Sequence, residues 1–340
     1  MGKFPVLIIF IFNILFAQKV AFETLFKDQI SIRALQIYDG KVWYTGTDSK
    51  FGYVSLIDTA DKKQISLSED NLQFRTLAQD AGHFYAINIE SPARFFQIDK
   101  HDMSHRVIYT DAAKTAFYDA LHFVDHTYAF AFSDPDADGN LRLATYNYHD
   151  KNTWTTDNTA FNNVKLKKGE AAFAASNTNI ASHGKWLWIA TGGAASRIIR
   201  INLVNEKVEI FNTPFVQGSS SQGMYSIDFY DSKFGIAVGG DYTKQTENIN
   251  NIATTHDGGK TWQIQASGKN GGYKTCVKFR PGSKGREILA VGDQNIEFSN
   301  DSGKTWTTVS VEKGLYICEW IDRNTVVLAG KNRIVKMRLI

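Results

Sequence analysis

One pattern occurs twice near the C-terminus, 44 residues apart: Thr255-His256-Asp257-Gly258-Gly259-Lys260-Thr261-Trp262 and Ser299-Asn300-Asp301-Ser302-Gly303-Lys304-Thr305-Trp306. It has the form Ser/Thr-x-Asp-x-Gly-x-Thr-Trp, and each residue type suits a β-hairpin turn. Asp accepts hydrogen bonds from turn amides, Gly supplies a positive φ, Thr extends the next strand and Trp covers the hairpin with a large apolar face. Two matches in register indicate a chain built from structural repeats.

The pattern is that of the Asp box, and a period of roughly 40 to 45 residues with four short strands per unit is typical of β-propeller blades. We therefore predict an all-β, seven-bladed β-propeller, with six or eight blades as alternatives. The segment 20–26 is expected to supply the outer strand of the last blade, so that the N- and C-terminal strands close the ring. The box residues are assigned a structural role in the turns and no catalytic one: Thr255, Asp257, Gly259, Thr261, Trp262, Ser299, Asp301, Gly303, Thr305 and Trp306.

Composition is compatible with one large domain over residues 19–340. The chain has 340 residues, of which 43% are hydrophobic and 13% aromatic, enough to supply a core between blades. The formal net charge of +3 is nearly neutral, and the densest basic run is Lys165-Leu166-Lys167-Lys168. A nucleic-acid partner requires a concentrated basic face, so none is expected.

The first 18 residues are typical of a secretory signal peptide. Met1-Gly2-Lys3 precedes an apolar run over 4–16 that is broken only by Asn13, and Ala17-Gln18 follows. Such a run is short for a bilayer span, so we expect cleavage, export to the periplasm or cell envelope, and no membrane insertion afterwards. An uncleaved anchor is the alternative, because Leu15 occupies the position where a small residue is preferred.

Several further phrases extend over the mature chain. They are Ser31-Ile32-Arg33-Ala34-Leu35, Phe117-Tyr118-Asp119-Ala120-Leu121, Ser133-Asp134-Pro135, Gly169-Glu170-Ala171-Ala172-Phe173-Ala174-Ala175-Ser176, Thr191-Gly192-Gly193, Tyr225-Ser226-Ile227 and Gly239-Gly240-Asp241-Tyr242. With the Asp boxes, these phrases resemble the exported propeller family related to the photosystem II stability and assembly factor, in its non-photosynthetic bacterial branch. The resemblance implies a seven-bladed propeller that acts as an assembly or stability factor for an envelope or periplasmic complex, without established catalysis or a cofactor.

Relatives in this family are often labelled oxidoreductases, and no motif in the sequence supports that label. There is no Gly-x-Gly-x-x-Gly between a strand and a helix and no Cys-x-x-Cys. The boxes are degenerate in the first four blades, and nothing in the sequence points to a photosystem as partner. We expect a monomer with an unidentified protein partner.

Polar residues are predicted to converge from separate blades on the axial channel and one of its mouths. Residues on or just before innermost strands, or just after second strands, supply this candidate ligand or partner site: Arg33, Asp119, Asp134, Glu170, Arg197, Tyr225, Asp241 and Tyr242. Converging polar groups are where a propeller usually binds its ligand. The alternative is that they pair with one another and hold the blades together.

Two other functions stay open, a small-ligand-binding propeller and an Asp-box glycoside hydrolase. Sialidases carry Asp boxes and use three arginines with a Tyr/Glu pair, which Arg33, Arg197, Glu170 and Tyr225 would imitate in part. A third arginine has no clear counterpart here.

Metal and disulfide sites are less clearly indicated. Residues 134–139 read Asp-x-Asp-x-Asp-Gly like the start of a calcium loop, but Thr145 replaces the bidentate Glu, which favours an ordinary acidic turn. No metal site is predicted. Cys276 and Cys318 occupy similar positions in consecutive blades; a disulfide is possible in an exported protein, and two buried thiols are slightly favoured.

Overall fold

The computed structural model describes residues 19–147, 153–157, 161 and 164–340. Within these ranges every regular element is a β-strand, so the predicted all-β class is confirmed. The predicted signal peptide lies outside the described residues. In the described part of the chain, no helix has the length and apolar character needed to cross a membrane.

The strands follow one another in short antiparallel runs. The first two runs are β1 (Val20–Tyr38), β2 (Lys41–Gly46), β3 (Lys50–Ser55) and β4 (Lys62–Ser66), then β5 (Ala78–Gln79), β6 (His83–Ile87), β7 (Ala93–Asp99) and β8 (His105–Asp111). The next two are β9 (Tyr118–Phe123), β10 (Tyr128–Ser133), β11 (Arg142–Asn147) and β12 (Thr153–Thr155), then β13 (Glu170–Ala171), β14 (Ile180–His183), β15 (Trp186–Ala190), β16 (Gly192–Gly193), β17 (Arg197–Asn202) and β18 (Val208–Asn212). The remainder are β19 (Gln222–Phe229), β20 (Gly235–Asp241), β21 (Ile252–Thr255), β22 (Gln263–Ile264), β23 (Cys276–Phe279), β24 (Ile288–Val291), β25 (Ile296–Ser299), β26 (Thr307–Ser310), β27 (Leu315–Trp320) and β28 (Thr325–Leu339).

Among the described residues the strands form six hydrogen-bonded sheets. Four sheets have four strands each: β5 to β8, β9 to β12, β14-β15-β17-β18 and β23 to β26. Two have six strands, in the orders β27-β28-β1-β2-β3-β4 and β13-β16-β19-β20-β21-β22. Counted as hydrogen-bonded sheets over the described ranges, the β-propeller has six blades, and the prediction of seven was wrong.

The difference arises at β1, which is long enough to belong to two strand groups. Its first part pairs with β28, from Val20 opposite Leu339 to Ser31 opposite Lys331. From Ile32 onward it pairs with β2 instead. One continuous strand therefore joins the first and last groups into a single sheet, and sequence patterning could not show that the two groups share a strand.

The pairing of the two chain ends follows the prediction for segment 20–26. Its apolar side chains, including Leu25, pack with Ile334 and Met337 of β28 in one buried cluster. This pairing joins the two ends of the strand array and closes the ring. The ring is thus held by backbone hydrogen bonds and by apolar burial at the same place.

The two eight-residue repeats form the same turn. Thr255 Oγ1 donates to the Asp257 carboxylate at 2.9 Å, and that carboxylate also accepts the Thr261 amide at 2.9 Å. In the second copy Ser299 and Thr305 make the equivalent bonds to Asp301, each at 2.9 Å. The hydrogen-bonding role expected of each Asp is confirmed.

The first turn also docks against the neighbouring sheet. The carbonyl oxygen of Gly258 accepts hydrogen bonds from Trp188 Nε1 at 2.8 Å and from Arg200 Nη1 at 3.0 Å. Gly259 has a φ of +82°, and a Cβ there would lie 3.1 Å from the Trp188 ring. A glycine is therefore needed both for the backbone conformation and for the close approach of the two sheets.

We expect Asp257→Ala to lower the free energy of unfolding by about 1–2 kcal/mol, because it removes the acceptor for several hydrogen bonds in the turn. Urea denaturation monitored by tryptophan fluorescence would measure the change. Lys260→Ala, an exposed position in the same turn, is the matched control and should change stability by less than about 0.5 kcal/mol. Equal losses in both variants would contradict the assigned role of Asp257.

Candidate functional site

A cavity of about 360 Å³ lies where several first strands and the segments before them converge. Four residues predicted from the sequence line it: Arg33, Asp119, Tyr225 and Tyr242. They come from β1, β9, β19 and the segment after β20. Side chains from distant parts of the sequence thus meet in one concave site, the arrangement in which ligands usually bind.

Strand irregularities help to build this cavity. The pairing register shifts between Ile32 and Ala34, and likewise on either side of Asp119, Tyr225 and Tyr316. The residue within each shift lines the cavity. A β-bulge changes the direction of a side chain relative to the regular alternation of its strand, so the same device orients a functional group on four separate strands.

Two arginines supply the positive charge of the cavity. Arg33 Nη1 donates to the Ala175 carbonyl at 3.0 Å, and its guanidinium lies 4.1 Å from the centre of the Tyr316 ring. Arg75 Nη1 donates to the Ala174 carbonyl at 3.4 Å. Each arginine is held in place by its hydrogen bond to a backbone carbonyl. Neither forms an ion pair within the described ranges, so most of its N–H donors stay free for an anionic ligand.

Stacked aromatic rings form one wall. Phe173 and Tyr225 are parallel, with their ring centres 3.9 Å apart, and Tyr273 meets Tyr225 edge-on at 4.8 Å. The Tyr225 hydroxyl donates to the Ser221 carbonyl at 2.7 Å. Burial raises the pKa of Tyr225, and so does the negative charge of Asp241. The stacked rings present a largely apolar surface, and Tyr225 is held in the neutral form.

An acidic pair lies on another side of the site. Asp119 is 1% exposed, and its Oδ2 atom has no hydrogen-bond partner among the described residues. Burial raises the pKa of Asp119 well above its usual range, and neighbouring Asp134 raises it further, while Arg75 opposes the shift. Burial also raises the pKa of Asp134, to about 6. Near neutral pH this pair therefore resists carrying two full negative charges.

Glu170 and Arg197 pair with each other and do not line the cavity. Arg197 Nη2 lies 2.6 Å from Glu170 Oε2, and its Nε donates to Glu170 Oε1 at 2.9 Å. The carboxylate also accepts the Thr191 hydroxyl at 2.7 Å and the Lys167 amide at 2.8 Å. Both side chains are almost wholly buried and well supplied with partners, which suits a structural cross-link between β13 and β17.

Asp241 ends β20, and Tyr242, which lines the cavity, directly follows it. Tyr242 is 51% exposed. Asp241 is buried and accepts hydrogen bonds from the Thr243 amide at 2.9 Å and its hydroxyl at 2.6 Å, which orders the loop that carries Tyr242. In the acidic turn that follows Asp134, Asp136 accepts hydrogen bonds from the backbone amides of Asp138 and Asn140. In the described parts of the chain, no group of three or more His, Cys, Asp or Glu side chains is placed to hold a metal ion.

Further along the same strands lies a second cavity, also of about 360 Å³, whose polar groups are paired with one another. Lys278 Nζ contacts Glu319 Oε2 at 2.7 Å, and the ring of His122 lies 2.8 Å from Ser182 Oγ. Burial and the charge of Lys278 lower the pKa of His122 to about 4, so this imidazole is neutral at physiological pH. These contacts join β23 to β27 and β9 to β14.

Among the lining residues that sequence reasoning missed are Arg75, Tyr273, Asp293 and Tyr316. Tyr316 could have been found, since it occupies in β27 the place that Arg33 occupies in β1, within a register shift just after the strand begins to pair. Arg75 and Asp293 lie in loops, where periodicity carries no information on side-chain direction.

The fold and the site together define a β-propeller with a polar and aromatic cavity formed by its converging strands. No family model and no curated protein matches the sequence. Among solved structures, YCF48 bound to D1 peptide aligns with a TM-score of 0.64 at 12% identity, covering 94% of this chain and 96% of that one. YCF48 from Cyanidioschyzon merolae gives a TM-score of 0.66 at 11% identity, covering 94% and 99%. The WD40 repeats of RRP9 give 0.65 at 11% identity, covering 94% and 97%. At these identities the similarity establishes a shared β-propeller fold.

Arg197→Met is expected to cost about 3–5 kcal/mol of folding free energy, because it leaves the buried Glu170 carboxylate without its counter-charge. Replacing both partners, as Glu170→Leu with Arg197→Met, should restore part of that loss. The control is Arg94→Met, which breaks an exposed pair with Asp70 and should cost less than about 1 kcal/mol. Chemical denaturation of the wild type and the three variants measures these free energies of unfolding. A loss below about 1 kcal/mol for Arg197→Met would contradict a structural role for the pair.

Stability should depend on pH through Asp134. Its pKa rises from 3.8 to about 6 on folding, so the folded state retains a proton between these values while the unfolded state loses it. The free energy of unfolding therefore falls as pH rises through about 4 to 6, by up to roughly 3 kcal/mol from this group. Asp134→Asn should be more stable than the wild type at pH 7 and converge with it near pH 3.5. Urea titrations at these pH values measure the difference in the free energy of unfolding between the two proteins. If that difference were the same at both pH values, the raised pKa assigned to Asp134 would be refuted.

Proposed function

We propose that this chain is a non-catalytic binding protein that takes a segment of a partner protein in the cavity lined by Arg33, Arg75, Tyr225 and Tyr316. The observation that carries the proposal is a pair of anchored arginines, neither of which has an ion-pair partner among the described residues, beside a wall of stacked aromatic rings. Guanidinium groups recognise carboxylates, and tyrosine and phenylalanine faces bind apolar side chains at little entropic cost. The ligand that fits best is an extended peptide segment with an acidic group next to an apolar or aromatic one.

The wider role we propose is that of an exported assembly or stability factor for an envelope or periplasmic complex. The signal-like residues 1–18 and the sequence phrases shared with the photosystem II assembly-factor family support this reading. The structural similarity to YCF48, of which a structure with bound D1 peptide exists, agrees with peptide binding by this fold. Membership of the Asp-box family's non-photosynthetic bacterial branch, a single domain over 19–340 and a monomeric state are parts of the same proposal.

One observation favours a glycoside hydrolase as the second candidate. Asp119 lines the same cavity as Tyr225 and is electrostatically linked to Asp134, so a protonated acid and a second carboxyl lie near each other. The arrangement fits a sialidase less well, because Glu170 is bound to Arg197 and the Tyr225 hydroxyl donates to a backbone carbonyl. Binding without catalysis is therefore preferred.

The test is a peptide array that covers the envelope proteins of the host, probed with the labelled mature protein. We expect a small set of acidic and aromatic peptides to bind, and Arg33→Ala with Arg75→Ala to weaken each by at least about tenfold in a fluorescence-anisotropy titration. Arg286→Ala, an exposed arginine outside the cavity lining, should bind like the wild type. Peptides in which Asn and Gln replace Asp and Glu should lose affinity.

The same preparations should be assayed with chromogenic glycosides, including a sialoside. Turnover by the wild type that Asp119→Asn abolishes would replace the binding proposal with the glycosidase. Peptide binding that is unchanged in the double arginine variant would show that the partner surface lies elsewhere and would overturn the assignment of the cavity.

A further inference from the structure

The two cysteines of the chain face each other across the boundary between two sheets. Cys276 begins β23 and Cys318 lies in β27, and their Sγ atoms are 3.7 Å apart. Both side chains are fully buried. β23 and β27 belong to different sheets, so backbone ladders do not join these strands.

Two side-chain contacts hold the strands in this alignment. Thr275 Oγ1 donates to the Tyr316 carbonyl at 2.6 Å on one side of the thiols, and Lys278 pairs with Glu319 at 2.7 Å on the other. The sulfur atoms need to approach by only roughly 1.6 Å to reach the length of a disulfide bond, a shift that side-chain rotation with small strand movements can supply. The alignment is therefore set by groups that do not depend on the thiols.

We infer that Cys276 and Cys318 form a disulfide that covalently joins the inner strands of two neighbouring sheets. The oxidant is a small-molecule or protein disulfide. The Cys276 thiolate attacks one of its sulfur atoms and releases one thiolate, and Cys318 then loses its proton and displaces the second. The protein loses two electrons, and the oxidant is reduced to two thiols.

The electrostatics of the folded state distinguish the two thiols. Although burial opposes ionisation, the hydrogen bond from Cys318 and the charge of Lys278 together lower the pKa of Cys276, whereas the pKa of Cys318 is raised by its neighbour and by burial. Because both thiols are buried, the exchange takes place while β23 and β27 are still separating or assembling. Once formed, the bond is shielded from reductants in the folded protein.

The experiment uses the full mature chain, unfolded and refolded in a buffer of reduced and oxidised glutathione. After denaturation, free thiols are labelled with iodoacetamide before or after treatment with dithiothreitol, and the products are analysed by intact mass and peptide mapping. We expect no label before reduction, two labels afterwards, and one cross-linked peptide pair that contains both cysteines. Two labels before reduction, or stable glutathione adducts in place of the cross-link, would overturn the inference.

Melting temperatures distinguish the stabilisation due to the covalent bond from that due to the packing of the thiols. The oxidised wild type should melt at least about 5 °C above its reduced form, because the bond closes a long loop in the unfolded chain. The variant with Cys276→Ala and Cys318→Ala should show the same melting temperature in both buffers. Equal melting temperatures of oxidised and reduced wild type, with the cross-link confirmed by mass, would show that the bond does not stabilise this fold and would overturn its structural role.

Discussion

The antiparallel pairing of β1 with β28 is the constraint on which the rest of the molecule depends. It joins residues from opposite ends of the chain, and it places Leu25, Ile334 and Met337 in one buried cluster. Propeller strands pack against their neighbours only, so a ring that is open at one point exposes two unpaired faces. Closing the ring allows the first strands of the successive groups to surround a common axis. The cavities lie on that axis, and their lining residues converge only because the ring is closed.

The site itself depends on departures from regular pairing. Arg33, Asp119, Tyr225 and Tyr316 each lie within a register shift near the start of a first strand. A regular strand would direct alternate side chains into the packing between sheets, where a charge is costly. The bulges turn one side chain from each of these strands toward the axis. The cavity thus gains an arginine, an aspartate and two tyrosines from bulged positions, and the second arginine, Arg75, comes from a loop.

Sequence reasoning predicted the class of fold and part of the site for identifiable reasons. The repeated turns can be recognised in the sequence because each of their residues acts within the turn itself, as the hydrogen bonds of Asp257 and Asp301 show. Arg33 and Tyr225 were placed near the axis by counting strands from the blade period. Glu170 met the same criterion, and Arg197 was expected at one mouth because it follows a second strand. The two pair with each other, since a guanidinium and a carboxylate that come within reach away from water bind strongly. Whether a polar group finds a partner depends on the distance between segments that are far apart in the chain, and the sequence does not contain that distance.

The sequence by itself determined the all-β architecture, the repeated turns and the pairing of the chain ends, because hydrophobic alternation, glycine positions and turn chemistry act over a few residues. Only the tertiary structure decided how many sheets the strands form, since β1 is shared between two groups by a change of partner at Ser31 and Ile32. It also decided that Arg75 and Tyr316 join the cavity and that Cys276 lies beside Cys318. These arrangements arise from contacts between residues far apart in the chain, which depend on strand register and on the packing of one sheet against the next.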